Sequence, residues 1–133
     1  MAAEPDALRI YDVHARRFVD ETTLVDALVF ARFRLLGEIH DDPAHHAIRA
    51  RVLGEIAERG LRPAVVMEQF DLDHDAALRA AQRRHADAER VASAGSLDRK
   101  GWQWPMHRPI VAQALASDLP LRPGNLSRAA FRG

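Results

Sequence analysis

The sequence predicts an α/β fold: βαβ units building a small parallel sheet flanked by helices, with the sheet left incomplete. Three observations lead there. A short apolar run, Phe33-Arg34-Leu35-Leu36-Gly37, reads as a buried strand, and a helical pattern follows from Pro43 to about Arg59. A second apolar run, Ala64-Val65-Val66-Met67, then closes the unit. Strand, helix and strand within about 35 residues form a βαβ unit, so the two strands are expected to run parallel.

The remaining elements follow in order. Leu8-Arg9-Ile10-Tyr11-Asp12-Val13 alternates at period two and reads as a short strand. A turn near His14 to Arg16 lets Phe18-Val19 return as a second. Asp20 or Thr22 can cap a helix from Thr23 to Ala31, with Leu24 and Leu28 facing inward. In the helix after the first buried strand, Asp42 is the cap and Pro43 takes the first position; Ile48, Val52, Leu53 and Ile56 supply the apolar face. Gly60 sits where a left-handed C-terminal cap belongs. Glu68-Gln69-Phe70 ends the second strand, and a long helix with a thin apolar stripe is expected from Asp73 to about Ala94. A polar loop leads to Trp102–Pro109, then a short helix from Ile110 to Ala116 and a third, poor strand at Leu119-Pro120-Leu121-Arg122. With no repeat or linker, residues 1–133 read as one domain.

Composition narrows the function classes. The chain is 47% hydrophobic and 29% charged, as soluble globular domains are. Nineteen basic residues balance 19 acidic ones, so the balance gives no electrostatic case for nucleic acid or an anionic membrane. No cysteine is present, which removes disulfides, thiolate metal sites and a cysteine nucleophile. No apolar run approaches the roughly 20 residues of a membrane-spanning helix. The start, Met1 to Asp6, lacks the layout of a secretory signal, so the expected compartment by default is the cytoplasm.

The chemistry gathers at Gly37-Glu38-Ile39-His40-Asp41-Asp42-Pro43-Ala44-His45-His46. Ligands in open α/β sheets sit at the carboxyl ends of strands. Glu38 and His40 are two apart, so in an extended segment both side chains point the same way. His45 and His46 fall in the opening turn of a helix, whose positive end keeps imidazole neutral, the state a metal ligand requires. Glu68 would leave the neighbouring strand at the same height. That rim could hold a metal ion, or supply the axial ligand of a haem and the groups behind it. The plainer reading is that histidine and aspartate are ordinary in loops, and that Glu68 pairs with an arginine. A second cluster joins Trp102, Trp104, Met106, His107 and Arg108. A flat apolar cofactor would want such a wall, with Arg108 for its carboxylates and His107 as a ligand. Equally, the tryptophans could plug the core. His14, His74 and His85 read as surface histidines.

At these residues the chain resembles the ChaN-like haem-binding uptake proteins of the Tiki and erythromycin-esterase-like superfamily. The resemblance rests on Leu36 to His46, Val66-Met67-Glu68-Gln69-Phe70, Gly101-Trp102-Gln103-Trp104-Pro105 with Arg108-Pro109, and Leu119-Pro120-Leu121 leading to Asn125-Leu126-Ser127-Arg128. It implies haem as cofactor and partner, a role in haem or iron acquisition at the bacterial cell envelope, and a periplasmic or outer-membrane lipoprotein. It also implies that this chain matches only the N-terminal portion of a larger family domain, so a second copy, as a homodimer, could cover the open sheet edge. The residues and the resemblance together give as the expected cofactor-binding set Glu38, His40, His45, His46, Glu68, Trp104, Met106, His107, Arg108 and Asn125, with His40 and His107 as iron ligands. His107 stands where the family commonly has tyrosine, and imidazole is an equally acceptable axial ligand. Two alternatives stay open: a hydrolase dependent on a divalent metal ion, with His40 and a second histidine binding the ion and Glu38 or Glu68 as general base, and a truncated fragment without a competent site.

Overall fold

The computed structural model describes residues 9–132, so Leu8 and the segment Met1 to Asp6 lie outside the described residues. The chain divides into two compact units, one ending at Leu35 and one starting at Leu36.

In the first unit, β1 (Ile10–Asp12) and β2 (Arg17–Val19) form the expected hairpin, with Tyr11 opposite Phe18. Their rings meet edge to face at 5.1 Å, the cross-strand pairing that stabilises antiparallel sheets. Asp12 Oδ1 accepts from Ala15 N at 2.8 Å to close the turn. Helix α1 (Glu21–Phe30) starts two residues before the expected Thr23. Asp20 sets that start, because its Oδ1 accepts from both Thr23 N (2.8 Å) and Thr23 Oγ1 (2.6 Å).

The first buried strand is corrected. Phe33 to Gly37 is irregular, Phe33 is 77% exposed and Leu35 is 95% exposed. Arg34 turns back instead, its Nε donating to Leu28 O and its Nη2 to Val29 O (3.1 Å). Those carbonyls end α1 and have no helical partner of their own. Apolar composition alone misread a helix-capping arginine as part of a strand.

The second unit opens with α2 (Pro43–Glu58), which begins where expected: Asp42 Oδ1 accepts from Ala44 N at 2.9 Å, and Gly60 closes its far end at φ 86°. Strand β3 (Val65–Asp71) runs past Met67, so Glu68 lies inside the strand rather than beyond it. A 3-10 turn (Leu72–His74), α3 (Asp75–Arg83), α4 (Ala88–Ala94) and α5 (Arg108–Ala116) then cross to β4 (Leu121–Asn125). β4 lies parallel to β3, Val65 opposite Leu121 and Asp71 opposite Asn125. The parallel pairing is present, but it joins β3 to the third expected strand and not to Phe33–Gly37.

The expected long helix is also corrected. It breaks between Arg83 and Ala88, where His85 takes φ 53° and Asp87 caps a new helix by accepting from Arg90 N at 2.9 Å. A short helix, α6 (Arg128–Arg132), had no counterpart in the sequence reading.

Helix α2 packs against α5. The core between the helices and β3–β4 is built on Leu53, Phe70, Leu78, Val91, Val111 and Leu121. Two contacts pin it. A Cβ placed on Gly95 would come within 2.4 Å of the buried Phe70 ring, so only glycine allows this approach. Gln82 clamps β4 from outside the ladder: Leu121 N donates to its Oε1 (2.8 Å) and its Nε2 donates to Leu121 O (3.2 Å).

Candidate functional site

Glu38 and His40 sit on the irregular segment before α2, folded by a turn in which Asp42 N donates to Ile39 O at 3.0 Å. The first turn of α2 holds that segment in place. Ile39 N donates to His45 Nδ1 (2.9 Å), and His46 Nε2 donates to the carbonyl of His40 (2.9 Å). Fixing a loop of this kind from the helix it precedes needs no strand.

The Glu38 carboxylate is the hub. Its side chain is 4% exposed, with Oε1 2.7 Å from His40 Nδ1 and 3.6 Å from Arg49 Nη1, and Oε2 3.7 Å from His46 Nε2. Burial alone would push its carboxyl up. The His40 hydrogen bond and the charges of His40, His46 and Arg49 outweigh that and hold it below the ordinary range. Burial lowers the Arg49 guanidinium, opposed by Glu38 and Glu68.

Two groups of potential ligands share this carboxylate. Glu38 joins the exposed His40 and Glu68 in a rim group, and the buried His46 and His107 in an interior group; in each, the ligand atoms lie within 4.8 Å of one another. Glu68 thus meets Glu38 and His40 at the rim, as the sequence predicts. Four rings connect the two groups: His40 meets Trp102 edge to face at 5.0 Å, Trp102 lies 5.7 Å from His107, and His107 lies 4.5 Å from His46. The His40 side chain is 55% exposed, while His46 and His107 are fully buried. Burial, then the neighbouring His46, push the His107 imidazole down to about 4. It is therefore neutral across the physiological range.

The other sequence candidates are placed differently. His45 is engaged by Ile39 N and lies 3.6 Å from Asp42, so it serves the loop. Trp104 donates its indole N–H to Glu89 Oε1 (2.9 Å), and Arg108 Nε lies 3.8 Å from the same oxygen. These two residues meet at Glu89, outside both groups. Met106 is half-buried. Asn125 Nδ2 donates to Asp71 Oδ1 at 3.2 Å across the β3–β4 pair.

Two residues of the site escaped the candidate set: Arg49 and Trp102. Arg49 follows His46 by three on α2, which places both on one helix face, and that spacing was the available signal. Trp102 lies two residues from Trp104 in one block, and nothing local in the sequence marks which of the two meets His40. A depression of about 350 Å³ lies elsewhere, lined by Arg79, Arg83, His85 and Arg122 among others, and contains none of the residues above.

The fold has a known counterpart. A solved structure described as cofacial heme binding to ChaN of Campylobacter jejuni superposes with a TM-score of 0.82 at 22% identity, covering 93% of this chain and 51% of that one. This chain therefore spans about half the length of that protein. No curated protein matches. The family described as haem-binding uptake, Tiki superfamily, ChaN matches residues 24–133, and the chain belongs to it.

Proposed function

We propose that the chain binds haem, with His40 as the axial ligand to iron. The observation that carries this is the state of His40. Its imidazole is 55% exposed, and its Nδ1 is held by the buried Glu38 carboxylate at 2.7 Å. A ligating histidine needs that arrangement, since a carboxylate on one ring nitrogen fixes the tautomer and raises the basicity of the other. Trp102 beside it offers a flat apolar surface, and the family and its structural counterpart are both described by haem binding. His107 is fully buried, which favours His40 of the two histidines for contact with a ligand arriving from solvent.

Haem or iron acquisition at the cell envelope is the role this reading fits. A second copy could complete the site: β3 has a strand neighbour on one side only among the described residues, and Val66 on it is 64% exposed. Titration of the purified protein with haemin is expected to give a Soret shift that His40→Ala diminishes. No shift at micromolar haemin overturns the proposal, and sedimentation of the haem-loaded protein reports whether two copies assemble.

A further inference from the structure

The interior group of Glu38, His46 and His107 holds buried polar atoms that haem binding at His40 does not account for. Four of its polar atoms are buried without a hydrogen-bond partner: Glu38 Oε2, His46 Nδ1, and both nitrogens of His107. Buried polar groups are almost always satisfied, and each exception asks for an explanation such as a bound ion. Here the exceptions fall on three residues that cluster, since Glu38, His46 and His107 each bring one potential ligand atom within 4.8 Å of the others.

We infer that Glu38, His46 and His107 form a buried site for a divalent first-row transition ion, separate from haem. The donor set decides the class. Two imidazoles and one carboxylate, with no thiolate, suit Zn²⁺, Co²⁺ or Fe²⁺ rather than the oxygen-only shells of Ca²⁺ and Mg²⁺. A tetrahedral ion would draw these atoms to about 3.3 Å from one another at the usual bond lengths. His46 would coordinate through Nδ1, the ring nitrogen left without a partner. His46 carries the support such ligands need, with Nε2–H donating to the His40 carbonyl at 2.9 Å. The charge balance also admits a dication: Glu38 and Glu68 together outnumber Arg49, the guanidinium acting on both. Three protein ligands leave a fourth position for water. The ion would sit behind Glu38, the carboxylate that orients His40, and so strengthen the rim from within.

Co²⁺ is the probe, added without haemin to protein stripped by chelator. The wild type is expected to bind one Co²⁺ per chain with visible d–d bands of nitrogen and oxygen ligation. His46→Gln and His107→Gln, checked for folding by circular dichroism, should lose those bands, whereas His14→Ala should keep them. Haemin titration of the metal-stripped wild type should still give the Soret shift, so failure of this inference and failure of the haem reading are told apart. No Co²⁺ bands in the folded wild type overturn the inference, and so does binding that survives in both glutamine variants. Loss of binding in His40→Ala with retention in His107→Gln would place the ion at the rim and overturn it equally.

Discussion

Glu38 does three things with one carboxylate: it orients His40, partners Arg49 and faces His46. Replacing it with glutamine keeps the shape and removes the charge. We expect Glu38→Gln to weaken haem binding by about 10- to 100-fold, the usual cost of losing a group that supports a ligand; haemin titration measures it. His107 supplies the second expectation at this scale. Its folded value of about 4 lies below the ordinary 6.5, so the unfolded chain takes up this proton first as pH falls. Stability from the neutral ring is full above pH 6.5 and is lost between there and about pH 4, by roughly 3 kcal/mol in the metal-free protein. The groups facing it act in both directions: His46, Arg49 and His40 lower its value and Glu38 raises it. Urea denaturation from pH 7 to pH 4 should show that loss in the wild type and a flatter profile in His107→Gln.

Among the elements, β3, β4 and the helices that cross between them carry most of the core. Gly95 ends α4 against Phe70, with no room for a methyl group. We expect Gly95→Ala to destabilise the fold by about 1–3 kcal/mol through overpacking, read as a lowered thermal midpoint. The Gln82 clamp on Leu121 is the second such feature. Gln82→Ala would leave the backbone groups of Leu121, which is fully buried, without these bonds, at a cost of about 1–3 kcal/mol. Amide hydrogen exchange at Leu121 should rise in that variant. The broken helix between Arg83 and Ala88 shows why the sequence overreached here: alanine, arginine and acidic residues all favour helix, and one left-handed residue at His85 with a new cap at Asp87 overrides the average.

For the whole molecule, binding must appear as stability. A ligand held by the folded chain alone adds about 2.7 kcal/mol at a hundredfold excess over its dissociation constant. Haemin should therefore raise the thermal midpoint of the wild type by several degrees and that of His40→Ala by less. The two compact units meet in sequence at Leu35 and Leu36. The residues grouped around the Glu38 carboxylate, from Glu38 to His107, all belong to the second.

Local rules were enough for the hairpin, for α2 with its Asp42 cap and Gly60 end, and for β3 with α5, because caps, turns and short-range periodicity act between near neighbours. The same rules placed Glu38, His40 and Glu68 at one rim, and the structure brings the three together. Those rules did not find what Phe33–Gly37 does, since whether an apolar run pairs as a strand depends on what lies beside it. Nor could they order the histidines. His45 and His46 are adjacent in sequence, yet one ties down a loop and the other is fully buried beside His107, a residue 61 positions further along. That meeting is set by α2 packing on α5. Only tertiary packing decides it, because burial and partnership over such separations are properties of the folded core and not of any window of sequence.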